Sequence, residues 1–249
     1  MNSTRRQLIT GLSIVGAGAI LVGCQQGAGG GANNRDAKGE EQSTEDAASV
    51  GSATEDLMRE HGLLRRALLV YQESAAKLKL DPASVPTEAL EKVAQFFRAF
   101  GEDYHEKKLE EAFIIPAIKK TQSPASSYAD ALLAQHARGR EITDYLLSVS
   151  KNASITSATS AAVIGALESF VRMYEHHAAV EDTIVFPAWK AALGAKELDE
   201  LAIKFEEIEE EHFGEDGFEA ASKRMTEIEE SLGLSNLDMF TAPPPPGRS

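Results

Sequence analysis

Apolar residues return every three or four positions along most of this chain, the interval that lines one face of an α-helix. Leu57, His61, Leu64, Leu68 and Tyr71 form one such stripe, and Phe170, Tyr174, His177, Glu181, Ile184 and Ala188 form another. Leu132, Leu133, His136 and Thr143 mark a third. No useful length of chain alternates apolar with polar residues, so strands are not expected. Ser52 with Glu55 three residues on makes a capping box, and the helix it opens runs to about Leu80, where Asp81-Pro82 breaks it. A second helix starts at Thr87 after Pro86 and runs to about Lys120. Ser123, followed by Pro124 at the first helical position, opens a third that ends near Val149. After a Ser/Thr/Asn-rich loop over 151–158, a fourth runs from about Ser160 to Leu193, with Gly194 as its stop. Two more follow near 196–212 and 217–232, the last closed by Gly233. Long helices with short connections predict an all-α fold: an antiparallel four-helix bundle over 54–194 with two additional C-terminal helices in 195–240.

The flanks are different. Residues 25–53 are rich in Gly, Ala, Asn, Ser and Glu and cannot bury a core, so they read as a flexible linker. Residues 241–249 form a Pro-rich tail around Pro243-Pro244-Pro245-Pro246. Residues 1–24 read as an export signal. Arg5-Arg6 precede an apolar stretch from Leu8 to Val22, too short to span a bilayer, and resemble a twin-arginine signal. Leu21-Val22-Gly23-Cys24 resembles a lipoprotein cleavage box with Cys24 as the lipidated residue. The alternatives are an ordinary secretory signal or an uncleaved anchor. Read together, the two signals predict an exported protein, lipid-anchored to a bacterial membrane through Cys24 and facing the periplasm or the cell exterior. Cys24 is the one cysteine, so no internal disulfide is possible. With 25 basic and 39 acidic residues the formal charge is −14, which repels nucleic acid and anionic headgroups; no nucleic-acid partner is expected.

The histidines change the picture. His61, His136 and His177 sit within apolar stripes, and Glu181 follows His177 by one turn. A lone inward histidine is usually a satisfied core residue, but several on different helices, with acids beside them, need a shared explanation, because buried charge is costly unless paired or metal-bound. The chain also repeats itself. Glu110-Glu111-Ala112-Phe113-Ile114-Ile115-Pro116-Ala117 matches Glu181-Asp182-Thr183-Ile184-Val185-Phe186-Pro187-Ala188, with His105 and His177 just upstream and a preceding helix that carries His61 or His136. Two similar hairpins thus each supply two imidazoles and one carboxylate, a set that suits two metals; the mixed ligation favours iron, with manganese and zinc as lesser candidates.

Glu60-His61-Gly62, Tyr104-His105-Glu106 leading to Glu110-Glu111, and His177-Ala178-Ala179-Val180-Glu181-Asp182 followed by Phe186-Pro187 resemble the haemerythrin-type HHE cation-binding family over roughly 54–193. The resemblance implies metal ligation by His61, His105, Glu110, His136, His177 and Glu181. Glu106 and His176 are further candidates, for the metal or its surroundings. Two features depart from the family. His105 to Glu110 is a step of five, which on a regular helix turns about 140° too far. Either a π-bulge absorbs the extra residue or Glu106 is the ligand, and the match of Glu110 to Glu181 favours the bulge. The family's oxygen carriers also have a histidine where this chain has Arg140, which leaves a metal position open or water-filled. Tyr104 and Tyr174 are candidates either to donate hydrogen bonds near the metals or to serve as core aromatics; His212, after Glu206-Glu207 and Glu209-Glu210-Glu211, belongs to a solvated acidic face, with a second cation site as the alternative; and Met58, Met173 and Trp189 are packing residues.

The resemblance implies a non-haem di-iron protein that binds a small diatomic ligand, oxygen or nitric oxide, for storage, scavenging or sensing. The alternative is a di-iron redox enzyme that reduces nitric oxide, oxygen or peroxide, or oxidises ferrous iron. Nothing in the chain identifies an electron donor. The anchor has its own test: Cys24→Ala should release the protein from membranes or block its processing, read by fractionation and by the mass of the mature chain. Unchanged membrane association with normal cleavage would rule the anchor out.

Overall fold

The computed structural model describes residues 52–214 and 217–247; the export segment, the lipoprotein box and nearly all of the linker lie outside them. The described chain is helical, without strands, and consistent with a haemerythrin-like helical bundle. Helix α1 spans Ala53–Leu80, α2 covers 87–120, α3 spans Ala129–Ser150, α4 covers 157–192, α5 spans Ala195–Phe213 and α6 spans Gly217–Ser231. Among the described residues no helix is long and apolar enough to cross a membrane.

Local chemistry sets these bounds. Ser52 Oγ accepts from the Glu55 N–H at 3.4 Å while Glu55 Oε2 accepts from the Ser52 N–H at 3.0 Å, which closes the capping box that starts α1. Three ends differ from the sequence expectation. Pro124 opens a 3₁₀ turn, Pro124–Tyr128, and α-helical geometry starts only at Ala129. Helix α4 starts at Ser157, because Thr156 and Thr159 form a reciprocal cap of their own. Gly194 does not stop α4: it has φ −77° and is the N-cap of α5. Gly233, at φ +69°, does occupy the left-handed region that ends α6.

Helices α2 and α4 are not regular. Helix α2 runs in π geometry from Phe97 to Ile114, and α4 from Glu181 to Val185. Each π segment ends on a bond five residues long, Ile115 N–H to Glu110 C=O and Phe186 N–H to Glu181 C=O. The next residue in each case is a proline, Pro116 or Pro187. A proline inside an α-helix has no N–H to give and its ring strikes the carbonyl four residues back. The wider π turn relieves that clash, so both helices pass through their prolines. It also moves the buried stripe. After Glu181 the buried residues are Val185, Phe186 and Trp189, whereas Ile184 and Ala188, expected inward, are only half-buried.

Helix α1 packs mainly on α4 and α2 mainly on α3, with α5 and α6 laid against α1 and α2. Tyr71, Phe97, Phe170 and Tyr174 form an aromatic stack in the core: Tyr71 to Phe97 at 5.5 Å, Phe97 edge-on to Phe170 at 4.8 Å, and Phe170 to Tyr174 at 4.5 Å. Full burial of each such ring stabilises by roughly 2–3 kcal/mol. Trp189 is buried and stacks on Phe205 of α5. Arg66 of α1 forks onto Glu229 of α6 at 2.9 and 2.5 Å. Met173 packs against the core, but Met58 is exposed and not a packing residue.

One close approach fixes the interior of the bundle. A Cβ at Gly139 would lie 2.0 Å from Tyr174 Oη and 2.8 Å from its Cζ. Alanine gains about 1 kcal/mol of helix propensity over glycine, but Tyr174 is buried and cannot swing away. The clash should win, and Gly139→Ala should destabilise the metal-free chain by about 1–3 kcal/mol. Gly139→Ala/Tyr174→Leu should recover part of the loss, measured by urea unfolding. A Gly139→Ala chain as stable as the parent contradicts this packing.

Candidate metal centre

Inside the bundle, α1 and α2 bring in His61, His105 and Glu110, while α3 and α4 bring in His136, His177 and Glu181. All six are buried, none more than 3% exposed. The four imidazoles present Nε2 to the two carboxylates. Glu110 Oε1 lies 3.2 Å from His105 Nε2 and 3.9 Å from His61 Nε2, and its Oε2 lies 3.3 Å from His136 Nε2. Glu181 Oε2 lies 3.1 Å from His177 Nε2 and 3.5 Å from His61 Nε2. Two pockets result: His61, His105 and Glu110 in one, and His136, His177, Glu110 and Glu181 in the other. Glu110 belongs to both, with one oxygen for each.

The π segment makes this arrangement possible. In π geometry each residue turns the chain through a smaller angle than in an α-helix, so the step of five from His105 to Glu110 comes back to one face. Glu106, the residue carried by the extra step, stands beside the pockets. Tyr174 Oη donates to its Oε1 at 2.5 Å and Arg140 Nη2 to its Oε2 at 3.2 Å. His176 is exposed on the outer face of α4, away from both pockets, because it stands one residue round the helix from the inward His177. His212 is half-buried, its ring stacked near Tyr104.

A second ring of residues holds every imidazole by its other nitrogen. His61 Nδ1 meets Asp182 Oδ1 at 2.7 Å, His105 Nδ1 meets Glu60 Oε2 at 2.7 Å, His136 Nδ1 meets Glu111 Oε1 at 3.0 Å, and His177 Nδ1 meets Gln135 Oε1 at 2.8 Å. Since these oxygens accept, each Nδ1 carries a hydrogen, and each Nε2 points inward toward the two carboxylates. Arg65 pairs with Asp182 and Arg140 with Glu111. Tyr104 Oη donates to Glu60 Oε1 at 2.9 Å and lies 3.4 Å from Glu209 Oε2, and Glu209 Oε1 accepts from the Phe218 N–H at 2.8 Å. The ring obeys a rule of position. Glu60 and Gln135 directly precede a histidine of the site, and Glu111 and Asp182 directly follow a glutamate of it. Those neighbours were visible as motif letters, but the helix each would reach was not.

His105 Nε2, both Glu110 oxygens and Glu181 Oε2 are buried without a hydrogen-bond partner, and His136 Nε2 and His177 Nε2 face each other at 3.2 Å. Electrostatics show how unbalanced this set is. Burial works to lower His136, but its bonds to Glu110 and Glu111 win and push it up to about 10. Against the same burial, Glu110 holds His105 well above its ordinary range. Burial, with the charge on His136 beside it, pushes His177 down to about 4. Burial and the neighbouring Glu110 hold Glu181 up, while His105 and His136 overcome burial to hold Glu110 down. Nitrogen and carboxylate oxygen atoms converging from all sides, four of them buried without a hydrogen-bond partner, fit a bound cation.

A family model described as the hemerythrin HHE cation binding domain matches residues 52–189. Uncharacterised proteins of Mycobacterium bovis and Mycobacterium tuberculosis are 38% identical to this chain over 205 residues, which is 82% of this chain and 79% of each of theirs. No solved structure matches significantly. The matched span runs from the cap of α1 to Trp189 and contains every residue of both pockets. The chain belongs to the haemerythrin HHE cation-binding family.

Proposed function

We propose that the two hairpins, arranged as an antiparallel four-helix bundle, hold two non-haem irons, and that the protein binds a small diatomic ligand, oxygen or nitric oxide, for storage, scavenging or sensing. His61 and His105 would hold one iron and His136 and His177 the other, with Glu110 and Glu181 shared. When bound, the iron pair supplies reversible one-electron chemistry and affinity for small ligands with lone pairs. The residues do the rest. The Nδ1 partners fix the four rings so that the ligand nitrogens need no reorganisation.

The observation that carries this reading is a small cavity against four of the six ligands, His61, His105, Glu110 and His177. Its room for the centre of a water-sized molecule is about 10 Å³, enough for one such molecule. Leu64, Leu68 and Ala178 line it as well, so its size and partly apolar lining suit a small uncharged molecule. One feature favours the enzyme reading as a second possibility. Glu106 borders the cavity, and burial, against the pull of His136 and of the Tyr174 hydroxyl, pushes its pKa up to about 7, so it can hold a proton there at neutral pH. Anaerobic stopped-flow spectroscopy of the ferrous protein separates the two: a stable adduct with oxygen or nitric oxide marks a binder, and turnover marks an enzyme. In this reading the lipid on Cys24 keeps the bundle at the membrane surface, outside the cytoplasm.

Metal analysis after iron-replete expression should give about two irons per chain. Glu110→Ala should empty the site, because it removes the carboxylate both pockets use, whereas Glu106→Ala should lower metal affinity no more than about tenfold. The reverse ranking in metal content and in the ligand-to-metal absorption band would make Glu106 the ligand. Loading should also release protons. His136 stays protonated up to about 10 in the metal-free chain, and a metal must displace that proton. Affinity should therefore rise at least about tenfold per pH unit between roughly pH 6 and 8. Cobalt(II) competition titrations check this, and a flat profile would contradict the protonation pattern.

A further inference from the structure

Among the groups that back the four histidines through Nδ1, the two hairpins match except at one pair. His61 and His136 are both backed from the other hairpin by a carboxylate, Asp182 and Glu111, and each carboxylate is paired with an arginine, Arg65 and Arg140. Glu181 Oε2 lies within 3.5 Å of His61 Nε2 as well as 3.1 Å of His177 Nε2, so it does not favour one pocket strongly. Glu106, a further buried acid near His136, is turned onto Tyr174 and Arg140. What differs is the backing of the other two histidines. His105 Nδ1 donates to the carboxylate of Glu60 at 2.7 Å, whereas His177 Nδ1 donates to the neutral amide of Gln135 at 2.8 Å. Glu60 is 2% exposed, and among the described residues no arginine or lysine forms a salt bridge with it. Gln135 is half-buried.

A carboxylate behind a ligating imidazole makes the ring a stronger donor to its metal; an amide does so less. We infer that Glu60 and Gln135 make the two metal pockets electronically unequal, with the His61–His105 pocket the electron-richer, so that the first electron given to the oxidised iron pair by an external reductant is held at the His136–His177 pocket. This rests on the di-iron reading above. In that step one electron converts one ferric ion to ferrous, and no bond is broken. The two positions that set the inequality touch neither iron directly, so they are positioning residues for the histidines they hold.

The test is a dithionite titration of the full-length iron-loaded protein with redox mediators, followed optically and by electron paramagnetic resonance of the half-reduced state. The parent should show two separated one-electron waves. Glu60→Gln should move the lower-potential wave upward and leave the upper one in place. Gln135→Glu should move the higher-potential wave downward and leave the lower one in place. Each variant should reduce the comproportionation constant by about 10- to 100-fold. Movement of the opposite wave in either variant, or no movement in both, overturns the inference. If Glu60→Gln fails to fold or to load, Gln135→Glu decides alone, since position 135 reaches solvent and accommodates a carboxylate. Iron counts separate the two levels. A parent that cannot hold two irons refutes the di-iron reading and this inference with it, while two irons with unmoved waves refute this inference only.

Discussion

Glu110 and Glu181 are buried side by side among four buried imidazoles, and the rest of the structure is arranged around that cost. Charge taken out of water costs many kcal/mol unless something opposite in sign is brought to it. In the metal-free chain protons supply part of the balance: His105 and His136 hold theirs far above the ordinary range, and Glu181 is held up as well. That balance is incomplete, since both Glu110 oxygens and Glu181 Oε2 still lack hydrogen-bond partners. The histidines cannot turn to help, because each Nδ1 is already engaged. A cation is the one species that answers all of these groups at once, and the outer ring of acids, arginines and tyrosines keeps the inner six from collapsing onto one another.

The backbone reaches this geometry through an irregularity used twice. A regular helix would carry Glu110 well off the face of His105, and it would set Pro116 and Pro187 against their own carbonyls. The π turns answer both problems together, and in each copy the carbonyl that accepts the long bond belongs to the glutamate of the site. The proline therefore does more than bend the helix. It makes the α register costly at that point and so holds the glutamate in place. The C-terminal helices extend this support on one side only: Tyr104, wedged against Phe213 of α5, carries Glu60, and Glu209 of α5 ties the start of α6 to the same hydroxyl.

Much of this was legible in the sequence because it depends on local chemistry. Ser52 with Glu55 and the inward spacing of His61 and His136 need no tertiary information. The errors came where a rule of constant rotation met a π turn. Ile184 and Ala188 were expected inward because 100° was added at each residue after Glu181, and the π turn adds less. The residue type of Gly194 suggests a helix stop, although nothing there demands a positive φ. Arg140 was read for the histidine it replaces. Its actual task, pairing with Glu111 behind His136 and reaching Glu106, depends on which helix lies opposite. The same holds for Asp182, Glu60 and Gln135: sequence shows that each is next to a residue of the candidate site, but only the packed bundle shows which ring it holds.

The pattern of partners has a further property. His105 and His177 are each supported by their own hairpin, through Glu60 and Gln135, while His61 and His136 are each supported by the opposite one, through Asp182 and Glu111. These two contacts between the hairpins mirror one another, which is the logic of an isologous dimer interface. A single hairpin mated to a second copy of itself would assemble two imidazoles and a carboxylate from each side, with the same cross-support and the same arginine behind each acid. In these contacts the chain has the form of a homodimer joined end to end, and a joined chain can carry a buried acid at position 60 in one half and an amide at position 135 in the other. A true homodimer is bound to be identical in both halves, so only the fused form can be lopsided.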